Sequence, residues 1–189
     1  DTNYNSNGSL VSAILPHHTL LNEEFWGFWQ DIASTSDPSV IVIIGAAHSD
    51  QGNEMIQTTR GSWEFNGKTV EVDEAYVNTL IIRGVAQYEP DSFINEHSIG
   101  VHLPYIAELF PNTKIVPVII QSRAREQEAA LLAEELDRLL PDDAFVLSSI
   151  DFSHYLSAVD MDEKDEETLT AINSRDYAGM FEFTTDHLD

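Results

Sequence analysis

The sequence predicts a single α/β domain with a largely parallel central sheet flanked by helices. Short apolar runs alternate with segments of helical period along the chain. The runs are continuous and rich in β-branched residues, as strands covered on both faces are. Three of the four end close to a histidine. In a parallel sheet with right-handed crossovers those ends share one edge, the edge at which α/β proteins build their sites.

The elements follow in order. Residues 1–9 are rich in Asn, Ser and Gly and read as a flexible lead-in, and residues 10–189 form the domain. The first strand is expected over 10–15, stopped by Pro16. A helix over 22–34 carries Phe25, Phe28, Trp29 and Ile32 on one face. A second strand over 40–44 is stopped by Gly45. Within residues 56–72, Asn66-Gly67 lies between strand-like Trp63-Glu64-Phe65 and Lys68-Thr69-Val70, the signature of a β-hairpin, here an excursion from the main sheet. Helical period resumes at Ile99, Val101, Ile106 and Leu109, with Pro104 starting or kinking a helix. The strand over 115–120 contains Pro117, which suits a bulge or an edge better than a fully bonded centre. Ala129, Leu132, Ala133, Leu136 and Leu139 mark another helix, and 144–150 the last strand. The acidic run 160–167 reads as the start of a solvated helix.

Composition narrows the function classes. The chain has 189 residues, a length suited to one core. Nine Lys and Arg stand against 33 Asp and Glu, a net charge of −24 that would repel a phosphate backbone and argues against a nucleic-acid partner. Such acidity serves surface hydration, as in halophilic proteins, or plain solubility. Without cysteine there is no disulfide, zinc ribbon or thiol nucleophile, and His, Asp and Glu are left as the strong metal ligands. No apolar stretch approaches the ~20 residues that span a bilayer. The cytoplasm is the expected compartment. An exported or membrane-tethered parent stays open, because the chain begins at Asp1 without a Met.

Among seven histidines, Pro16-His17-His18, Ala46-Ala47-His48 and Asp151-Phe152-Ser153-His154 each follow a strand. One histidine at a strand end is usually structural. Three at equivalent positions point to a shared site, since imidazole is the commonest metal ligand and suits divalent iron, zinc or copper. His17 and His48 occupy matching positions as candidate ligands. Asp151, three residues before His154, could orient or charge that ring, which suits a general acid or base, although a loop cap is an equally good reading of Asp151. Glu96 and His97 sit near a helix N-terminus whose backbone donors could meet an anionic or phenolate-like group. His102 reads equally as core, surface or functional, and His187 carries no signal.

Taken in order, Pro16-His17, Gly45-Ala46-Ala47-His48, Glu96-His97-Ser98 with Leu103-Pro104, and Ser148-Ser149-Ile150-Asp151-Phe152-Ser153-His154-Tyr155 resemble the Memo-like proteins, also called AmmeMemoRadiSam system protein B. The resemblance covers nearly the whole chain. It implies a fold similar to the class III extradiol dioxygenases, non-haem iron enzymes that cleave catechol-type rings. By that resemblance His17 and His48 match metal ligands, His154 the position of the catalytic base, and His97 a further histidine of the site region. Glu96, His97 and His18 are assigned to substrate.

Several positions depart from the family pattern. Gly100 replaces a common Glu, His102 a common Gln, and His18-Thr19-Leu20 a frequent Ala-Gly-Tyr. The family's third metal ligand comes from a segment near the C-terminus, a Cys in many Memo-like proteins and a Glu in the dioxygenases. Either the chain stops short of that segment, the expected case, or this branch lacks the ligand, with Asp186, His187 and Asp189 as possible substitutes.

Three functions fit these residues. The first is an oxidoreductase with Fe(II) on His17, His48 and a carboxylate-like ligand, acting on a small aromatic substrate. The second is a non-catalytic metal- or peptide-binding protein. The third is a zinc hydrolase with water activated near Asp151 and His154. Oligomeric state is not encoded in the pattern.

Overall fold

The structure, a computed structural model, describes residues 10–18, 22–49, 51–153 and 155–183. Six strands form one mixed sheet, β1 (Ser12–Leu15), β2 (Val40–Ala46), β3 (Ile56–Thr58), β6 (Gln87–Tyr88), β7 (Lys114–Ile120) and β8 (Phe145–Ser149), in the order β1-β8-β2-β7-β3-β6. The four strands from β1 to β7 run parallel, as expected. β3 is antiparallel to β7 and parallel to β6, so the last two strands reverse the sheet's direction.

Helices cover the sheet: α1 (Asn22–Thr35), α2 (Glu74–Ile82), α3 (His97–Gly100), α4 (Leu103–Leu109), α5 (Glu126–Leu139), α6 (Ala158–Ser174) and α7 (Tyr177–Phe183). Burial of β2 is nearly complete from Val40 to Ile43, which accounts for its unbroken apolar run. On α1, Phe25, Trp29 and Ile32 enter the core at i, i+4 and i+7. Phe28, expected on the same face, is instead half exposed at 50%. The stripe is narrower than its composition implied, and Trp29 fills the space against His102 and Phe110. In α5 the buried apolar residues are Leu132 and Leu136, and Ser157 caps the acidic α6 through the Asp160 N–H.

The hairpin lies at the Asn-Gly pair. β4 (Trp63–Phe65) and β5 (Lys68–Val70) form a separate two-stranded sheet, and Asn66 and Gly67 both take the positive φ, 51° and 80°, that a tight hairpin turn demands. Its extent is shorter than the expected 56–72, because Ile56–Thr58 is recruited into the main sheet as β3. α2 was not anticipated, although Asp73, which accepts from the N–H groups of Ala75 and Tyr76, supplies an ordinary cap signal.

Pro117 sits in an interior strand rather than at an edge or a bulge. Gln121 N–H donates across to Met55 C=O beside β3, and alternation along β7 turns the nitrogens of 119 and 117 the same way. The β3 ladder stops at the Thr58–Val118 pair, so a missing N–H at 117 costs no ladder bond. The Pro117 carbonyl accepts from Thr58 Oγ1 at 2.7 Å.

Gly45 is needed where α3 meets β2. A Cβ there would stand 2.3 Å from Ser98 Oγ and 2.7 Å from Ser98 Cβ, while Ser98 Oγ donates to Ala46 C=O at 2.9 Å. We expect Gly45→Ala to lower stability by ~1–3 kcal/mol, the usual cost of overpacking, read as a reduced urea midpoint at unchanged m-value.

Candidate metal centre

Strand register creates the site. Leu15, Ser149 and Gly45 lie in one row across β1, β8 and β2, and the chain leaves each strand within three residues of His17, Asp151 and His48 respectively. Helix α3 then brings His97 to the same edge. The rings lie 4.9 Å apart for His17 and His48, 5.2 Å for His17 and His97, and 3.8 Å for His48 and His97, measured between centroids. One nitrogen from each lies within 4.8 Å of the others, and among the described residues these three form the group that could hold a metal ion.

Their hydrogen bonds show which nitrogens face the cluster. His17 is 4% exposed, and its Nδ1 lies 3.1 Å from Ser149 C=O, an acceptor only, so Nδ1 carries the proton and Nε2 keeps a lone pair. His48 Nδ1 lies 2.7 Å from Glu96 Oε1 and donates to it, which again leaves Nε2 as the free donor atom. These partners are the orienting contacts that metal-binding histidines ordinarily have. The residues present therefore fit a divalent metal favouring imidazole nitrogen.

Glu96 holds the arrangement together. Its carboxylate also accepts the His48 backbone N–H at 2.9 Å and the Ser98 N–H at 3.0 Å, as the N-cap of α3. Burial works to raise the Glu96 pKa, but the bonds from Ser98 and His48 outweigh it and leave the carboxyl below its ordinary value. The helix donor that the sequence offered to a substrate is thus taken by Glu96 itself.

Asp151 accepts the His17 backbone N–H at 2.6 Å, the loop-capping role, while its other oxygen lies 3.6 Å from His17 Nε2. The following loop is tied to α6, since Ser153 N–H donates to Asp165 Oδ1 at 3.2 Å. His18 is exposed beside His17, and its charge acts on His97. His154, expected as the base, lies outside the described residues, as do Asp186, His187 and Asp189.

Burial depresses the His17 pKa, with His48 and His97 adding to the effect and Asp151 opposing it. His97 is lowered by burial and then by His48. Both rings are therefore neutral near pH 7, the form a metal requires. His102, fully buried, is pushed down to about 3, by burial first and by His17 second. Sequence reasoning left His102 unassigned and missed Ser149 as a partner of His17, although Ser149 stands inside a motif it singled out. It gave His97 to the same site region, and the structure brings its ring to those of His17 and His48.

A parallel-sheet edge carrying three convergent imidazoles defines an α/β protein with a candidate histidine metal centre. The sequence model of the Memo-like proteins matches residues 14–187. A MEMO1 family protein of Saccharolobus solfataricus is 34% identical over 157 residues, covering 80% of this chain and 55% of the relative. One of Methanopyrus kandleri is 32% identical over 159 residues with the same coverage, and one of Saccharolobus islandicus 32% over 157 residues. The chain belongs to the Memo-like family and spans about half the length of these relatives. Among the described residues, no helix is long and apolar enough to cross a membrane.

Acid should destabilise this core. The unfolded chain binds a proton at His102 near pH 6.5, which the folded chain refuses until about pH 3. Stability is complete above 6.5 and falls as the pH drops through that window, by up to about 1.4 kcal/mol per pH unit for this group. His17 and His97 act with the same sign. The urea midpoint is expected to fall between pH 7 and pH 5, and less steeply in His102→Gln.

Proposed function

We propose that this Memo-like chain holds one divalent metal, Fe(II) before zinc or copper, on His17, His48 and His97, and serves as an oxidoreductase of the extradiol-dioxygenase type on a small aromatic substrate. One observation carries the reading. Three imidazole nitrogens converge, and the far nitrogens of two rings are already committed to Ser149 and Glu96. Iron in such a site supplies Lewis acidity and redox chemistry towards dioxygen. The chain's own residues would do the rest. Glu96 fixes the His48 ring, Asp151 fixes the backbone at His17, and His154, following Asp151 by three residues, takes the proton of a phenolic hydroxyl. His18 and the exposed face of His97 would line the approach. The net charge of −24 disfavours a nucleic-acid partner.

A second reading keeps the metal and drops the catalysis. It is favoured by the exposure of His48 and His97, 39% and 52% of their side chains, which suits an exchangeable ion or a peptide contact more than a sequestered reaction.

Anaerobic titration of the metal-free protein is expected to give one Fe(II) per chain, with binding lost in His17→Ala, His48→Ala and His97→Ala. Unchanged stoichiometry in all three would remove the site. Glu96→Gln should keep the stoichiometry and weaken affinity by about 10–100-fold, the usual cost of losing an orienting partner. Oxygen uptake across a panel of catechols, set against His154→Ala, tests catalysis. Uptake in the loaded wild type that disappears in the variant supports the enzyme, and none in the wild type leaves the binding protein.

A further inference from the structure

Most cations of this chain are matched by acids. Lys68, Arg83, Lys114, Arg138 and Lys164 each have a carboxylate partner. Arg60 lies over the Tyr88 ring and donates from Nε to Asn78, and Arg175 ends α6. Arg123 and Arg125 stand on the short segment between β7 and α5. Both are exposed, and neither side chain has a carboxylate partner among the described residues. In a chain with 33 Asp and Glu against nine Lys and Arg, two such guanidinium groups on one segment reverse the local sign of charge.

That reversal falls at the edge that carries the histidines. β7 is the neighbour of β2, Ala46 pairs with Ile120, and the Ala47 N–H donates to Ile120 C=O at 2.9 Å. The segment bearing Arg123 therefore leaves the same edge as His17, Asp151 and His48, one strand beyond His48, a step of ~4.8 Å.

Arg123 is also held from behind. Gln121 is 2% exposed, and its Nε2 donates to the carbonyls of Gln51 and Gly52 at 2.8 and 3.2 Å, in the loop that follows His48. Two acceptors fix which end of the amide is nitrogen, so Oε1 is the end that accepts from Arg123 Nη2. The rest of the guanidinium keeps the planar fork that meets a carboxylate through two parallel bonds. A net charge of −24 would turn a small anion away, but that field is screened within about 8 Å at physiological salt, so a fixed guanidinium at contact distance decides the outcome.

We propose that Arg123 anchors a carboxylate carried by the aromatic substrate, so that the site takes an anionic ring with its hydroxyls towards His17, His48 and His97 and its acid group one strand away. The orientation towards the histidines rests on the proposed function above, whereas the capture of a carboxylate by Arg123 does not. Arg125 adds charge to the same segment without a buried amide to fix its side chain.

A ligand-observed NMR titration of the metal-free protein, with a dihydroxybenzoate and with the matching dihydroxybenzamide, compares two ligands of one shape and different charge. The wild type should bind the acid about 10-fold more tightly than the amide, the lower end of what a charge-assisted bond contributes. Arg123→Gln should abolish the difference by weakening the acid alone, Arg123→Lys should keep part of it and Arg125→Gln most of it. A residue that only braced Gln121 would change both ligands together. The acid should also move the imidazole resonances of His48 and His97, and their silence puts the carboxylate elsewhere and overturns the proposal. Equal affinity for acid and amide in the wild type overturns it too, as does a preference that survives Arg123→Gln, one lost equally in Arg125→Gln, or failure of both ligands to bind. If the preference depends on Arg123 while Fe(II) titration finds no site, the anchor stands and the metal reading falls. Fe(II) binding without the preference gives the reverse.

Discussion

The site depends on one row of the sheet. Leu15, Ser149 and Gly45 are in register across three parallel strands, and each plays a different part at the edge. Leu15 ends the strand that delivers His17. Ser149 presents its carbonyl to the His17 ring and its hydroxyl to α3. Gly45 lacks the Cβ that would strike Ser98, and so lets α3 seat against β2. A slip of one residue at β8 would turn Ser149 to the other face and undo all of these contacts.

Helix α3 has only four residues, too few to be stable alone, and is held by its ends. The buried Glu96 carboxylate takes the Ser98 N–H together with the backbone and ring N–H groups of His48. Ser98 also bonds the backbone of β2 and receives the Ser149 hydroxyl. Burying a carboxylate is costly unless its lone pairs are met, and here three donors meet them. The penalty for losing one donor is what makes the geometry rigid, and His48 and His97 inherit that rigidity from the same residue pair.

The overall charge belongs to a different part of the molecule. The acidic run of α6 is mostly exposed, whereas His17, Glu96, Ser98, His102 and Ser149 are buried at the sheet edge. Acidity of the surface and chemistry of the site are therefore separate properties of this chain. Asp165 joins them at one point, where it leaves the acidic face of α6 to hold the Ser153 backbone.

Periodicity, turn chemistry and strand-end histidines made much of this legible. The parallel strands, the Asn66-Gly67 hairpin and the meeting of His17 with His48 follow from local pattern, because alternation and turn residues act over a few positions. Tertiary packing decided the remainder. Phe28 matched the helical period yet faces solvent, since Trp29 already fills the core beneath α1. Pro117 lies within an interior strand because β3 ends one pair short of it. Glu96 turns inward to the His48 ring and backbone because α3 docks at Gly45. By itself the sequence determined which strands would end in imidazoles and so where a metal centre could form. Only the folded chain decided which nitrogens face one another, because ring orientation and tautomer depend on partners 47 to 132 residues away in sequence.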